Sequence, residues 1–517
     1  MTYRPRVYIF GIDALDVDLM HEWMDQGRMP FLASLRETCA FARLDSTKDL
    51  FGDAPWPSLN AGVSPATHAF FNHLQLQRGT LDIERVDARH CRALPFWEHL
   101  RGAGLKTAFI DVPKTFPIDG LDGIQVSGWS EHYPLLRSPE SLPPELIDEI
   151  HATYGAYPHP PEISAPPSRK WEETQLRAYL SNIARKERAV ADFLDREDWD
   201  LFFTVYAELH YADHQMFHHM DPGHWGHEPD APAHLKDALP AVAERTDEAI
   251  RAAFSKLPPD ATWIVVSVHG IEANFTANHV MEDVLQRLGY LVRADRPTSS
   301  NLIGTLLNLT GAVRRLIPQS IRDRINDRLP EGFHDQADSS AFEGDWDWEK
   351  TRAFFMPSDH FQALVSLNLA GREPRGVVRP DDADDVLAEI ERDMLALRNT
   401  GTGTPAVAGV VRPSSVYSGP SLSELPDLVV QWAKDGRITG LEHPKFGRID
   451  ADTVIRRAQH APDGFLMAGG AAIETGATAE GAATIDFAPT ILSLLGRPVP
   501  PMLEGRVLHE LLEAAGS

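Results

Sequence analysis

The segment AELHYADHQMFHH (207–219) is the densest run of metal-ligand side chains in a protein that holds 22 histidines. His210 and His214 are four apart, so on a helix their imidazoles share one face and can grip a single cation. His218 continues that spacing, and Glu208 precedes it. Solvated histidines on a surface helix would show the same pattern. Position favours a metal, because the cluster follows DLFFTVYA (200–207), a run of the buried-strand type after which α/β enzymes carry their ligands. Asp13 ends a second such run, RVYIFGI (6–12), and His269 ends a third, TWIVVSV (262–268). His460 stands in RAQHAPDGFLMAGG (457–470), read as a loop ahead of a strand. Asp13, His210, His214, His269 and His460 together predict a metal site, and only a fold can bring residues so far apart in the chain to one point.

The elements that must position them alternate. Apolar runs at 6–12, 107–112, 200–207 and 262–268 read as buried strands, and helical spacing fills 170–195 and 232–256 between them. Further strand candidates are 427–432 and 464–470. The helix expected over 485–496 places Phe487, Ile491, Leu494 and Leu495 on one face. This alternation predicts an α/β fold, a mostly parallel central sheet with helices on both faces, in a single domain. Two stretches interrupt it. Residues 134–169 are rich in proline, and 296–350 begin as an amphipathic stretch and end in a polar loop. Both are expected to be insertions forming a cap or lid.

Composition narrows the function. The 517 residues carry 49 Lys and Arg against 75 Asp and Glu, a net charge of −26. A chain this acidic repels nucleic-acid backbones over most of its surface, and leaves room only for a local basic pocket that takes a small anion. Cys39 and Cys91 can build neither a disulfide framework nor a cysteine zinc site. The N-terminal apolar run is too short for a signal peptide, and no run reaches the roughly 18 residues of a membrane span. The expected setting is cytoplasmic. The sequence leaves the oligomeric state open.

Taken in order, the motifs resemble those of the alkaline phosphatase superfamily, in its type I phosphodiesterase / nucleotide pyrophosphatase branch. GIDALDVDLM is similar to the opening strand with its metal aspartate at Asp13. WPSLNAGVSPATHAFF (56–71) is similar to the W-T-S-x-x-T-G-x-x-P-x-x-H-G turn. AELHYADHQ is similar to the D-x-x-x-H segment, SVHGIEAN to S-D-H-G, and QHAPDGFLMAGG to H-x-P-x-G-x-x-x-x-G. IDFAPTILSLLGRPVPPMLEGRVL (485–508) is similar to the closing motif. The resemblance implies two divalent metals, usually zinc, that activate a Thr or Ser nucleophile and neutralise phosphoryl oxygens.

The chain departs from that pattern in three places. His210 stands where the family has Asp, so His210, His214 and His460 form a three-histidine set with one open position, suited to zinc, with manganese or iron as other candidates. Val268 replaces the Asp before His269, leaving the second site only Asp13 and His269. Gly52 stands at the nucleophile's place, with Asp53 adjacent and Ser58 six residues on, on the following helix. One ion is therefore expected rather than two. A metal-dependent hydrolase or transferase of phosphoesters or related oxyanions would use metal-activated water rather than a covalent Thr or Ser intermediate, with Glu208 or Asp53 as general base. Asn72 and Arg372 are candidates for holding the substrate's oxygens. The alternative is a catalytically altered member that binds an anionic ligand. A sulfatase is disfavoured, because CAFAR (39–43) lacks the proline of the C/S-x-P-x-R motif.

Overall fold

A computed structural model describes residues 6–47, 50, 52–130, 138–157, 168–294, 342, 346–356, 362–451 and 457–513. Most of the two expected insertions lies outside these residues. The chain groups into two compact units, where the sequence reading expects one body. The first comprises 1–71, 87–274 and 454–517, and the second 72–86 and 275–453.

The first unit is built on a nine-stranded sheet. Its strands, in chain order, are β1 (Val7–Ile12), β2 (Ala40–Asp45), β3 (Lys106–Ile110), β4 (Asp122–Ser127), β5 (Glu140–Leu142), β6 (Leu201–Tyr206), β7 (Thr262–Ser267), β8 (Asp463–Gly470) and β9 (Ala482–Ala483). They lie in the order β9-β2-β8-β7-β1-β6-β3-β4-β5. The central five, β7-β1-β6-β3-β4, are parallel, and β8 runs antiparallel between β7 and β2. β1 and β6 are buried at every position, as expected of strands covered on both faces. The expected α/β sheet is the observed one.

Helices flank it. α1 (Val17–Asp25) starts at Asp16, whose carboxylate accepts from the backbone N–H of Asp18 and Leu19. α2 (Pro55–Ala61) has proline at its first position and is buried throughout. α3 (Arg169–Leu194) begins at a Ser168 cap. α4 (Glu208–Met220) follows β6 directly, α5 is Ala238–Phe254, and α6 (Phe487–Leu494) packs into the apolar core with Ile9, Phe203, Val266 and Val268. The second unit holds a four-stranded sheet of Ala353–Phe355, Ala363–Leu367, Leu428–Trp432 and Val407–Val411.

Candidate metal centre

Sheet order assembles the site. β1 lies between β7 and β6, so the carboxyl ends of three neighbouring parallel strands deliver Asp13, the start of α4 and His269 side by side. His460 arrives differently from expectation. It sits in a short strand, Ala458–Ala461, paired antiparallel to Gly270–Ala273 with His460 opposite Ile271. Four residues are too few for a strand period to be read from the sequence. The pairing sets His460 beside His269, their rings stacked 3.9 Å apart.

Three ring nitrogens meet. His214 Nε2 lies 3.0 Å from His210 Nε2 and 3.3 Å from His460 Nε2, and the His210–His460 pair is 3.4 Å apart. A tetrahedral zinc with bonds of roughly 2.0–2.1 Å has ligand–ligand edges of about 3.3–3.4 Å, so the triangle matches one face of that tetrahedron. The outer nitrogens reinforce the fit. His210 Nδ1 is 3.0 Å from Asp13 Oδ2, His214 Nδ1 is 3.1 Å from the Ala458 carbonyl, and His269 Nδ1 is 3.0 Å from the Gly270 carbonyl. The carbonyl acceptors at His214 and His269 hold the proton on Nδ1 and leave the Nε2 lone pair available, and the Asp13 carboxylate beside His210 Nδ1 favours the same tautomer there. His210, His269 and His460 also place ligand atoms within 4.8 Å of one another. His210, His269 and His460 are buried, whereas His214 is partly exposed and marks the open side.

The sequence reading makes Asp13 a ligand. In the structure its oxygens face His210 Nδ1 and the Trp56 indole, whose Nε1–H donates to Oδ1 at 2.8 Å. His269 Nε2 stands 3.6 Å from the same oxygen. Burial alone would raise the Asp13 carboxyl. The charge and hydrogen bond of His210, then His269 and Trp56, outweigh it and hold the group well below the usual carboxylate range. Burial pushes the His269 imidazole down to about 4, so it is neutral and ligand-competent. Trp56 reaches Asp13 across Gly11, where a Cβ would stand 2.7 Å from Val205 Cγ2 and 3.2 Å from the indole.

The remaining predicted residues divide. Gly52 offers no side chain as a nucleophile, and a Cβ there would stand 3.2 Å from the Phe71 carbonyl oxygen, a tight contact. Val268 points into the core with Ile264 and Val266, continuing the alternation of β7. Ser58 is fully buried, 2.8 Å from His68 Nε2. Because the Phe70 N–H donates to His68 Nδ1, the proton is on Nε2 and His68 donates to the serine rather than accepting from it. Asp53 pairs with Lys114 at 2.7 Å, and its charge acts on His269.

Glu208 faces away from His210, two residues along the helix. Its Oε1 accepts from Tyr157 Oη at 2.8 Å, and Lys186 and Asp111 are among the charges acting on it. Asn72 and Arg372 belong to the second unit. There Asn72 Oδ1 accepts from the Leu74 N–H. The proposed clamp Arg372 spends its guanidinium on Asp427, Glu373 and the Leu367 carbonyl, which corrects the reading of it as an open oxyanion fork. His218 turns away from the centre. Eight residues beyond His210, it is rotated by about 80° around the helix.

Spacing gave no reason to select Lys114, or Asp213. Asp213 is a buried carboxyl with both oxygens unpartnered. Burial, then Asp16 and Asp13, raise it well above the carboxylate range, so it is held as a neutral acid.

No protein-family model matches the chain, and no curated protein matches it. Among solved structures it is similar to phosphonoacetate hydrolase from Sinorhizobium meliloti 1021 in complex with phosphonoacetate, at 13% identity and a TM-score of 0.52, covering 95% of this chain and 96% of that one. Murine ectonucleotide pyrophosphatase / phosphodiesterase 5 aligns at 11% identity and a TM-score of 0.48, over 98% and 100% of the two chains. The fold is alkaline-phosphatase-like, as the motif order implied.

Proposed function

We propose that the protein is a metal-dependent hydrolase of small phosphoesters or related oxyanions. The observation that carries this reading is the triangle of His210, His214 and His460 nitrogens at 3.0–3.4 Å. These three residues would hold a zinc-class divalent ion. When bound, such an ion supplies Lewis acidity and lowers the pKa of water. Asp13 orients His210 through Nδ1. The partly exposed edge at His214 admits an anionic substrate. Asp53 is the carboxylate we assign as general base, because it adjoins the position where relatives carry a nucleophile and its charge reaches His269. Lys114 holds it in place and adds a positive charge suited to an oxyanion. Glu208 we assign to positioning, since it anchors the start of α4. The cytoplasmic setting is retained as part of this proposal. No described helix is long and apolar enough to cross a membrane.

Gly52 and Val268 favour a second reading, an anion-binding protein without turnover. One assay separates the two. Zinc-loaded protein is offered a nitrophenyl phosphodiester and a nitrophenyl phosphonate. The hydrolase reading expects release of nitrophenol that chelation abolishes, that zinc restores, that His210→Ala removes and that Ser58→Ala spares. Zinc-dependent binding of phosphate with no turnover of either compound would replace it by the second reading.

A further inference from the structure

A second histidine cluster lies at the other end of α4. His218 and His219 close the helix, and Glu172 stands in the first turn of α3. Glu172 Oε2 is 3.0 Å from His219 Nε2, and Oε1 is 3.8 Å from His218 Nε2. The three residues place ligand atoms within 4.8 Å of one another. All are buried, the two histidines completely. Neither ring nitrogen of His218 has a hydrogen-bond partner among the described residues, and His219 Nδ1 has none. A buried imidazole left this way forfeits the hydrogen bonds that water would give it in the unfolded chain. Native interiors rarely tolerate that without a reason, and ligation of a cation is one such reason.

We infer that Glu172, His218 and His219 form a second divalent-cation site, of structural character, separate from the three-histidine centre. Two imidazoles and one carboxylate are a set that zinc accepts with one position left for water. Burial, and next the nearby Arg457, keep His218 in its neutral form, the only form that can ligate. Arg457 would also repel a cation, but Glu228 lies 3.5 Å from it and offsets its charge. His224 is not free to join, because its ring nitrogens are engaged by the Arg457 carbonyl and the Gly226 N–H. The site has a mechanical consequence. α3 and α4 run antiparallel. Glu172 meets His219, Tyr179 meets Gln215 and stacks on Tyr211, and Lys186 reaches the Val205 carbonyl just before α4. An ion at the first of these contacts fixes the helix pair at one end. It thereby fixes the rotation of α4, which presents His210 and His214 on another face.

The test uses the full chain, zinc as the probe, and elemental analysis after gel filtration, so it does not depend on activity. Wild-type protein is expected to retain one more equivalent of zinc than Glu172→Gln, a variant that preserves volume. His214→Ala, with its centre disabled, should still hold one equivalent, and adding Glu172→Gln should remove it. Circular dichroism confirms that each variant is folded. Equal zinc in Glu172→Gln and wild type, or a folded His214→Ala protein with none, would overturn the inference and leave Glu172–His219 as a plain ion pair. Because Glu172→Gln is compared with wild type directly, the result reads independently of whether the three-histidine centre holds metal.

Discussion

Asp13 and His68 show how single side chains set the chemistry. Asp13 is locked between His210 and Trp56, so its effect on the centre passes through the tautomer and orientation of His210. Asp13→Asn is expected to weaken zinc affinity by about 10–100-fold, the usual cost of losing such an outer partner; an unchanged affinity in a competition titration with a chelator would reject that role. His68 gives a pH effect. Burial holds its folded-state pKa near 3, below the ordinary 6.5. The unfolded chain therefore takes up a proton first as pH falls. This stability is complete above about pH 6.5 and is lost between about 6.5 and 3. On that basis, acidification from pH 7 to pH 5 removes about 2 kcal/mol through this residue. His68→Gln, whose amide can still donate to Ser58, should show a smaller drop in urea midpoint over that range. An identical drop would place the acid sensitivity elsewhere.

At the scale of elements, α4 has two working faces. One carries His210 and His214 to the sheet's carboxyl edge. The other carries Glu208, Tyr211, Gln215 and His219 against α3, where Glu172, Tyr179 and Lys186 recur every seven residues. Lys186 is fully buried and bonds Asp111, Ser130 and the Val205 carbonyl. Lys186→Met leaves the buried Asp111 carboxylate without its cation, held only by the Trp129 N–H and the Ser130 hydroxyl, and should destabilise the protein by about 3–5 kcal/mol in denaturant unfolding; a loss below about 1 kcal/mol would mean that those two donors, or water, suffice for Asp111. The i, i+4 spacing of His210 and His214 and the apolar runs before them were legible in the sequence, because helix and strand periods are local. The polar seam between α3 and α4 was not. Glu172 is 47 residues from His219, and nothing local to either predicts the antiparallel pairing. The Ser58–His68 pair and the isolation of Val268 in the core likewise depend on packing that no spacing encodes.

At the scale of the molecule, the parallel order β7-β1-β6 explains why Asp13, the start of α4 and His269 converge, and the antiparallel pair of Gly270–Ala273 with Ala458–Ala461 adds His460. The parallel part of this arrangement followed from strand–helix alternation. The division into two units did not, since the chain leaves the first unit twice without a change in composition. Metal should couple to global stability, because ligands drawn from α4 and from the strand Ala458–Ala461 meet only in the folded state. Zinc at a hundredfold excess over its dissociation constant should stabilise the native chain by about 2.7 kcal/mol per site, read as a rise in Tm that a chelator reverses. An unchanged Tm would show that the sites are not linked to folding. The most direct test of the centre itself is zinc stoichiometry in purified wild-type and His214→Ala protein, each confirmed folded. The substitution is expected to remove one equivalent of zinc. The same stoichiometry in both proteins would contradict it.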